Sequence, residues 1–419
     1  MLLSAVRLAW PFCRWLDGVA LAAALAMASC AAQAATDGGD YLIDVWTGEN
    51  GLPNSSVTAI AQTPDGYLWV GTYNGLARFD GVRFVRFDPS DTPALPKARI
   101  RRLYVDPVGT LWINTYDGSL ISYRNDFRLE WKGNNTADAT ITSVALHPDR
   151  TIFLLHSGEL IRRRSGEKEW QVLRPPGASS GALCVQDGQG VLWGRNRDQK
   201  LWRYTGEHFE SMPANAGLQG RQINALVTDA RGRVWAGTEK EVAVWEDGCF
   251  RTMTPTNGEP DLNVAFLSPA RGGELWILDN DRVRKARDRQ WVLEAKACRG
   301  VFTGRMDRFG AQEDRNGGVW LYHYGKGIFH LRPDGEARQL ATEEEFPGER
   351  VDCFYEDREG NLWAGVDRGG LVRLRQKRFQ TLIPPENRLV VPNRNSPGDD
   401  PGSSTRQGAE RVAVKAPET

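Results

Sequence analysis

Apolar and polar residues alternate with a period of two in short runs along most of the chain, and the runs recur. Between residues 57 and 87, VTAIAQ is followed by Asp65-Gly66, YLWVGT, Asn74-Gly75, LARFD, Asp80-Gly81 and VRFVRF. Such alternation, punctuated by Asn-Gly and Asp-Gly, predicts four short antiparallel strands joined by tight turns. Within YLWVGT, Leu68 and Val70 fall on one face and Trp69 on the other, so both faces of the unit are apolar. A sheet apolar on both faces must be covered on both, and the chain supplies the cover by repeating the unit.

Eight copies of the second-strand core can be aligned: YLWVGT (67–72), TLWINT (110–115), TIFLLH (151–156), VLWGRN (191–196), RVWAGT (233–238), ELWILD (274–279), GVWLYH (318–323) and NLWAGV (361–366). Their key aromatics, Trp69, Trp112, Phe153, Trp193, Trp235, Trp276, Trp320 and Trp363, are 43, 41, 40, 42, 41, 44 and 43 residues apart. Four strands with tight turns need roughly 40–45 residues, the length of one propeller blade. The pattern therefore predicts an all-β chain, a β-propeller of four-stranded antiparallel blades. Eight blades are expected; the alternative is seven, if the third copy, with Phe153 in place of tryptophan, is degenerate or the last copy lies outside the ring. YLIDVW (41–46) precedes the first blade and resembles an outermost strand, so it is expected to pair with the last blade and close the ring.

The ends differ from this pattern. Arg7 and Arg14 precede an alanine-rich apolar run over 19–32, followed by Ala32-Gln33-Ala34, which predicts a signal peptide over 1–34 and an exported, periplasmic or extracellular chain. The run is shorter than the ~20 apolar residues of a spanning helix, so no transmembrane span is expected in the mature chain. Met27-Ala28-Ser29-Cys30 resembles a lipobox and offers a lipoprotein anchored through Cys30 as the alternative. Residues 383–419 have the proline, glycine and polar composition of a disordered tail, leaving 41–382 to the propeller.

Composition narrows the partners. The 53 basic and 53 acidic residues cancel without a long run of either sign, which argues against a nucleic-acid footprint. Cys184, Cys249, Cys298 and Cys353 match neither a zinc site nor a disulfide framework and read as small apolar side chains in strands. No nucleophile elbow, phosphate loop, dinucleotide fingerprint or two-histidine metal motif is present, so no catalytic residue, metal or cofactor is expected.

GLPNSSVTAIAQTPDGYLWVGTYNGLARFDGVRF (51–84) closely resembles the two-component regulator propeller repeat; NLWAGVDRGGLVRL (361–374) is similar to it, TLWINTYDGSLISY (110–123) less so, and the middle copies keep little beyond the tryptophan and turn glycines. The resemblance implies the exported sensor of a bacterial hybrid two-component system, of a kind in which many recognise oligosaccharides. Nothing after Leu382 resembles a second propeller, a span or a kinase, so either a separate histidine kinase or other envelope signalling protein is the implied partner, or the chain is a shortened relative whose sensing is residual.

Loops between second and third strands emerge on one face of such a ring, which makes them the candidate binding residues: Tyr73, Asn74, Tyr116, Asp117, Arg195, Arg197, Lys240, Tyr322, His323, Tyr324, Asp367 and Arg368. Tyrosine faces would stack on pyranose C–H groups while the Asp, Asn and Arg side chains bond hydroxyls; the blander reading is that turn residues are polar anyway. The expectation is a ligand-binding module without catalytic activity. The alternatives are a propeller lyase, using His323 beside Asp367, and a scaffold for envelope proteins.

Overall fold

The computed structural model describes residues 41–376, apart from 96–98, 134–140, 147–150, 157–158, 177–182, 197, 213–215, 220–221, 254–263, 280–281, 296–308, 324–326 and 342–349. The described strands form eight four-stranded antiparallel sheets. In blade 1 the strands are Val57–Gln62, Leu68–Thr72, Gly75–Phe79 and Phe84–Phe87, hydrogen-bonded in chain order. Blades 2 to 7 repeat that order, and in each the first strand lies innermost, beside the first strand of its neighbour. In blade 8, Arg350–Glu356, Leu362–Asp367 and Gly370–Gln376 are completed by Tyr41–Trp46, which runs antiparallel to Gly370–Gln376 with Tyr41 opposite Gln376 and Trp46 opposite Leu371. The ring is an eight-bladed propeller closed by its N-terminal strand, and the tryptophan-less third copy is a full blade within it.

The core lies in the seams between blades, as the two-faced apolar pattern requires. Leu68 and Val70 pack with Trp363 and Leu371 of blade 8, whereas Trp69 turns the other way, among Ile100, Leu103, Leu111 and Ile113 of blade 2. Phe153 fills the equivalent wedge at the seam of blades 3 and 4, against Leu192, Trp202 and Tyr204.

Each buried indole also needs a partner for its N–H. In four blades the aspartate six residues earlier, in the turn between first and second strands, accepts it: Asp106 from Trp112 at 3.1 Å, Asp187 from Trp193 at 2.8 Å, Asp229 from Trp235 at 2.9 Å and Asp357 from Trp363 at 2.7 Å; Trp69 donates instead to Thr63 Oγ1 at 3.0 Å and Trp276 to Glu313 at 3.2 Å. The aspartate's second oxygen accepts backbone N–H groups of the same turn, as Asp187 does from Gln189 and Val191. One carboxylate thus closes a turn and seats a core tryptophan. Blade 7 departs from this scheme: His330 stacks on Trp320 at 4.0 Å and takes Asp314 at 2.6 Å, leaving the Trp320 indole nitrogen without a partner. Burial alone would raise the Asp314 carboxyl, but the His330 hydrogen bond and the turn's N–H groups hold it below its ordinary value.

In six blades the register of the first strand slips by one residue near its start, skipping Thr58 in blade 1, Arg101 in blade 2 and Asp352 in blade 8. Each is a β-bulge at the rim of the channel, and a bulge re-aims the unpaired side chain. Among the cysteines, Cys249 and Cys353 are free. The side chain of Cys184 and the whole of Cys298 lie outside the described residues, as do residues 1–34 and 383–419.

Candidate functional site at the channel mouth

Antiparallel pairing places the loops between second and third strands on one face of the ring, together with the connections that lead from each fourth strand into the next blade. On that face blades 8, 1 and 2 build a polar cluster. Tyr73, after the second strand of blade 1, and Tyr116, after that of blade 2, meet edge to face with centroids 5.8 Å apart. The Arg99 guanidinium lies over both rings, 4.4 Å from Tyr73 and 4.0 Å from Tyr116, and Arg101 approaches Tyr116 at 5.8 Å. Such cation–π contacts leave the guanidinium's in-plane donors free to bind. Burial pushes the Tyr116 phenol above its ordinary value and its hydrogen bond with Tyr73 adds to this, so Tyr116 keeps its proton at neutral pH.

Across the mouth, Arg350 donates from Nε to Asp352 at 2.6 Å, and that bond holds the guanidinium's proton more firmly than usual. Ser56 donates to Asp367 at 2.7 Å while its hydroxyl accepts the Arg368 backbone N–H at 3.1 Å, which ties blade 8 to blade 1. Arg368 sits at φ 59°, in the left-handed region. Below the rim a cavity of about 770 Å³ is lined by Arg101, Arg102, Tyr116, Arg350, Asp352 and the first strands of blades 1, 2, 6, 7 and 8. That volume is within the roughly 300–1,000 Å³ of small-molecule sites. Among the described residues no group of three or more His, Cys, Asp or Glu side chains could hold a metal ion.

Of the residues singled out from the loops, Tyr73, Tyr116, Asp367 and Arg368 meet at this mouth. Asn74 is exposed beside Tyr73, its backbone N–H bonded to Thr72 Oγ1. Asp117 closes its own turn, accepting from the Thr115 hydroxyl and from the Ser119 N–H and hydroxyl. Arg195 and Lys240 stand on blades 4 and 5, on the other side of the ring; Lys240 is exposed, and burial lowers the pKa of Arg195. Tyr322 is buried in the seam of blades 7 and 8. Arg197, Tyr324 and the His323 side chain lie outside the described residues, and so does any His323–Asp367 contact. Arg99, Arg101, Arg350 and Asp352 were not singled out, because they enter on the connection from the preceding blade and on the bulges.

The fold and site define an eight-bladed β-propeller with a polar channel mouth. Its sequence matches the two-component regulator propeller model over 51–74, 217–240 and 345–368, within blades 1, 5 and 8. The blade 5 match, around Gly217-Leu218, carries more of the repeat than the reading of the middle copies allowed. No curated protein matches the chain in sequence. The computationally designed Ika8 protein is similar in fold at 13% identity, with 77% of this chain and 96% of that one covered and a TM-score of 0.52. A streptogramin B lyase aligns at 13% identity over 81% of this chain and 99% of its own, TM-score 0.48. The extracellular domain of a hybrid two component system, BT4673 of B. thetaiotaomicron, aligns at 18% identity over 80% of this chain and 56% of its own, TM-score 0.35. The likeness to the designed protein bears on fold alone, and the match to the two-component regulator propeller model is confined to three stretches of the chain. The expectation of a chain without catalytic activity is corrected by this comparison: lyases share the fold, so neither the fold nor the lack of a familiar motif argues against an enzyme.

Proposed function

We propose that this propeller binds a polar, saccharide-sized ligand at the mouth formed by blades 8, 1 and 2. The observation that carries the reading is the Arg99 guanidinium held between Tyr73 and Tyr116 above a channel of about 770 Å³. Tyrosine edges, guanidinium forks and the Arg350–Asp352 pair together offer the donors, acceptors and C–H-binding surfaces that a carbohydrate uses. Arginines outnumber carboxylates at the rim, which favours acidic sugars over neutral ones. As a sensor, the exported chain would pass occupancy to a separate kinase; the match to the two-component regulator propeller model supports that role.

A second reading makes the same mouth a lyase site. Tyr116, protonated at neutral pH and hydrogen-bonded to Tyr73, is a proton donor placed at the edge of the cavity. One experiment addresses both: a thermal-shift screen of the full chain against neutral and acidic oligosaccharides, with and without EDTA, followed by chromatography of each ligand that shifts the midpoint. A shift lost in Arg99→Ala supports binding at this mouth. Cleavage that vanishes in Tyr116→Phe while the shift remains supports the lyase. No shift with any glycan sinks the carbohydrate reading.

A further inference from the structure

The opposite face of the ring carries a second cavity. There the turns between first and second strands lie, and from blade 5 round to blade 1 a run of arginines latches one blade to the next. Arg231 of blade 5 reaches Gly272 O and Asp288 of blade 6, at 3.4 and 2.7 Å. Arg271 of blade 6 donates to Arg315 O of blade 7 at 2.7 Å, Arg315 to Glu356 of blade 8 at 2.6 Å, and Arg358 of blade 8 to Pro64 O of blade 1 at 2.6 Å. Blade 2 has Pro107 and Val108 at the corresponding places of its turn, and neither side chain can donate a hydrogen bond. The seam between blades 2 and 3 opens there into a cleft of about 680 Å³.

The cleft is strongly cationic. Its floor is Trp112 and Ile152, and its walls include Arg124 and Arg128 from the outer hairpin of blade 2 and Arg163 and Arg164 from that of blade 3. Arg163 is paired with Glu130 at 2.7 Å, but the guanidiniums of Arg124, Arg128 and Arg164 make no hydrogen bond or ion pair among the described residues. Of the two carboxylates in the lining, Asp106 is committed to its turn and to Trp112, and Glu167 accepts the Arg164 backbone N–H. Three free like charges around one concavity repel one another and focus a positive field into it. Their planar forks suit carboxylate, phosphate or sulfate groups.

We propose that this cleft is a binding site, separate from the channel mouth, for a small organic polyanion whose body rests on Trp112 and Ile152 and whose acidic groups are held by Arg124, Arg128 and Arg164. The cleft between the two outer hairpins supplies the space, and the free guanidiniums supply the selectivity.

The test is calorimetric titration of the full chain with pyrophosphate and with benzenetricarboxylate at low salt. Saturable binding of either is expected, weakening as salt rises. Arg128→Ala combined with Arg164→Ala should reduce the affinity roughly tenfold or more, since two charge-assisted contacts are lost. Arg101→Ala, at the channel mouth, should leave it unchanged. No heat with either anion, unaltered affinity in the double variant, or loss of binding in Arg101→Ala would each overturn the proposal; the last would assign the anion to the mouth. Because glycan binding is read through Arg99, failure of one site is distinguishable from failure of the other.

Discussion

Glycine in the recurring Trp-x-Gly core has a packing role visible only between blades. A Cβ on Gly71 would stand 2.5 Å from Ile100 Cγ2 of blade 2, one on Gly237 2.6 Å from Val264 Cγ1 of blade 6, and one on Gly365 2.7 Å from Val57 Cγ1 of blade 1. The absent side chain makes room for the β-branched residue that opens the next innermost strand. Blade 2 has Asn114 at this position, and it spans the seam instead with a bond to Ile141 O at 3.2 Å. Gly71→Val should therefore destabilise the fold by about 1–3 kcal/mol through overpacking, read as a lower midpoint in urea. An unchanged midpoint would mean that the seam yields more easily than close packing implies. The mouth was partly legible at this scale. Tyr73, Tyr116, Asp367 and Arg368 follow the tryptophan core at a fixed offset, so the repeat locates them. Arg101 and Asp352 were hidden because a bulge is a property of strand register, and nothing in IRR or RVD shows that one residue will be left without a partner across the strand.

At the scale of the blade, period-two alternation was enough to assign the faces, since each strand has one neighbour to either side. Leu68 and Val70 went to blade 8 and Trp69 to blade 2. What alternation cannot show is how the blades are fastened at their turns. The arginine latches join residues some 41 positions apart, and their length and polarity make them look like ordinary solvated side chains. Arg315 is half-exposed, so its bond to Glu356 is screened, and Arg315→Ala should cost no more than about 1 kcal/mol globally. Its effect should be local. Hydrogen exchange is expected to speed up in the turns around Asp314 and Asp357 while the midpoint barely moves; protection lost evenly over the ring would contradict a seam-by-seam latch.

For the molecule as a whole, stability belongs to the closed ring, because every core cluster is shared by two blades. The closing strand is held by the Asp44–Arg373 pair at 2.8 Å, with Arg375 at 3.2 Å, and by Trp46 stacked on Trp363 at 5.4 Å. Deleting 41–46 would bare the edge of Gly370–Gln376 and uncover the seam of blades 8 and 1. The shortened chain is expected to melt earlier and to self-associate, as seen by calorimetry and light scattering; a monomer with the parent midpoint would show that the strand is dispensable.

That strand also sets a timetable. Asp44 and Arg373 are 329 residues apart, so the contact joining them has nearly the longest reach the folded chain allows. The entropy of closing so large a loop rises only slowly with its length, but the loop cannot close until its far end exists. While the chain emerges from a ribosome, blades can stack on their predecessors in order, yet the first of them keeps one apolar side bare until the last has arrived. An arc that lacks its last blade therefore has two sticky ends, and the six residues that complete the ring precede every other strand of it in the chain.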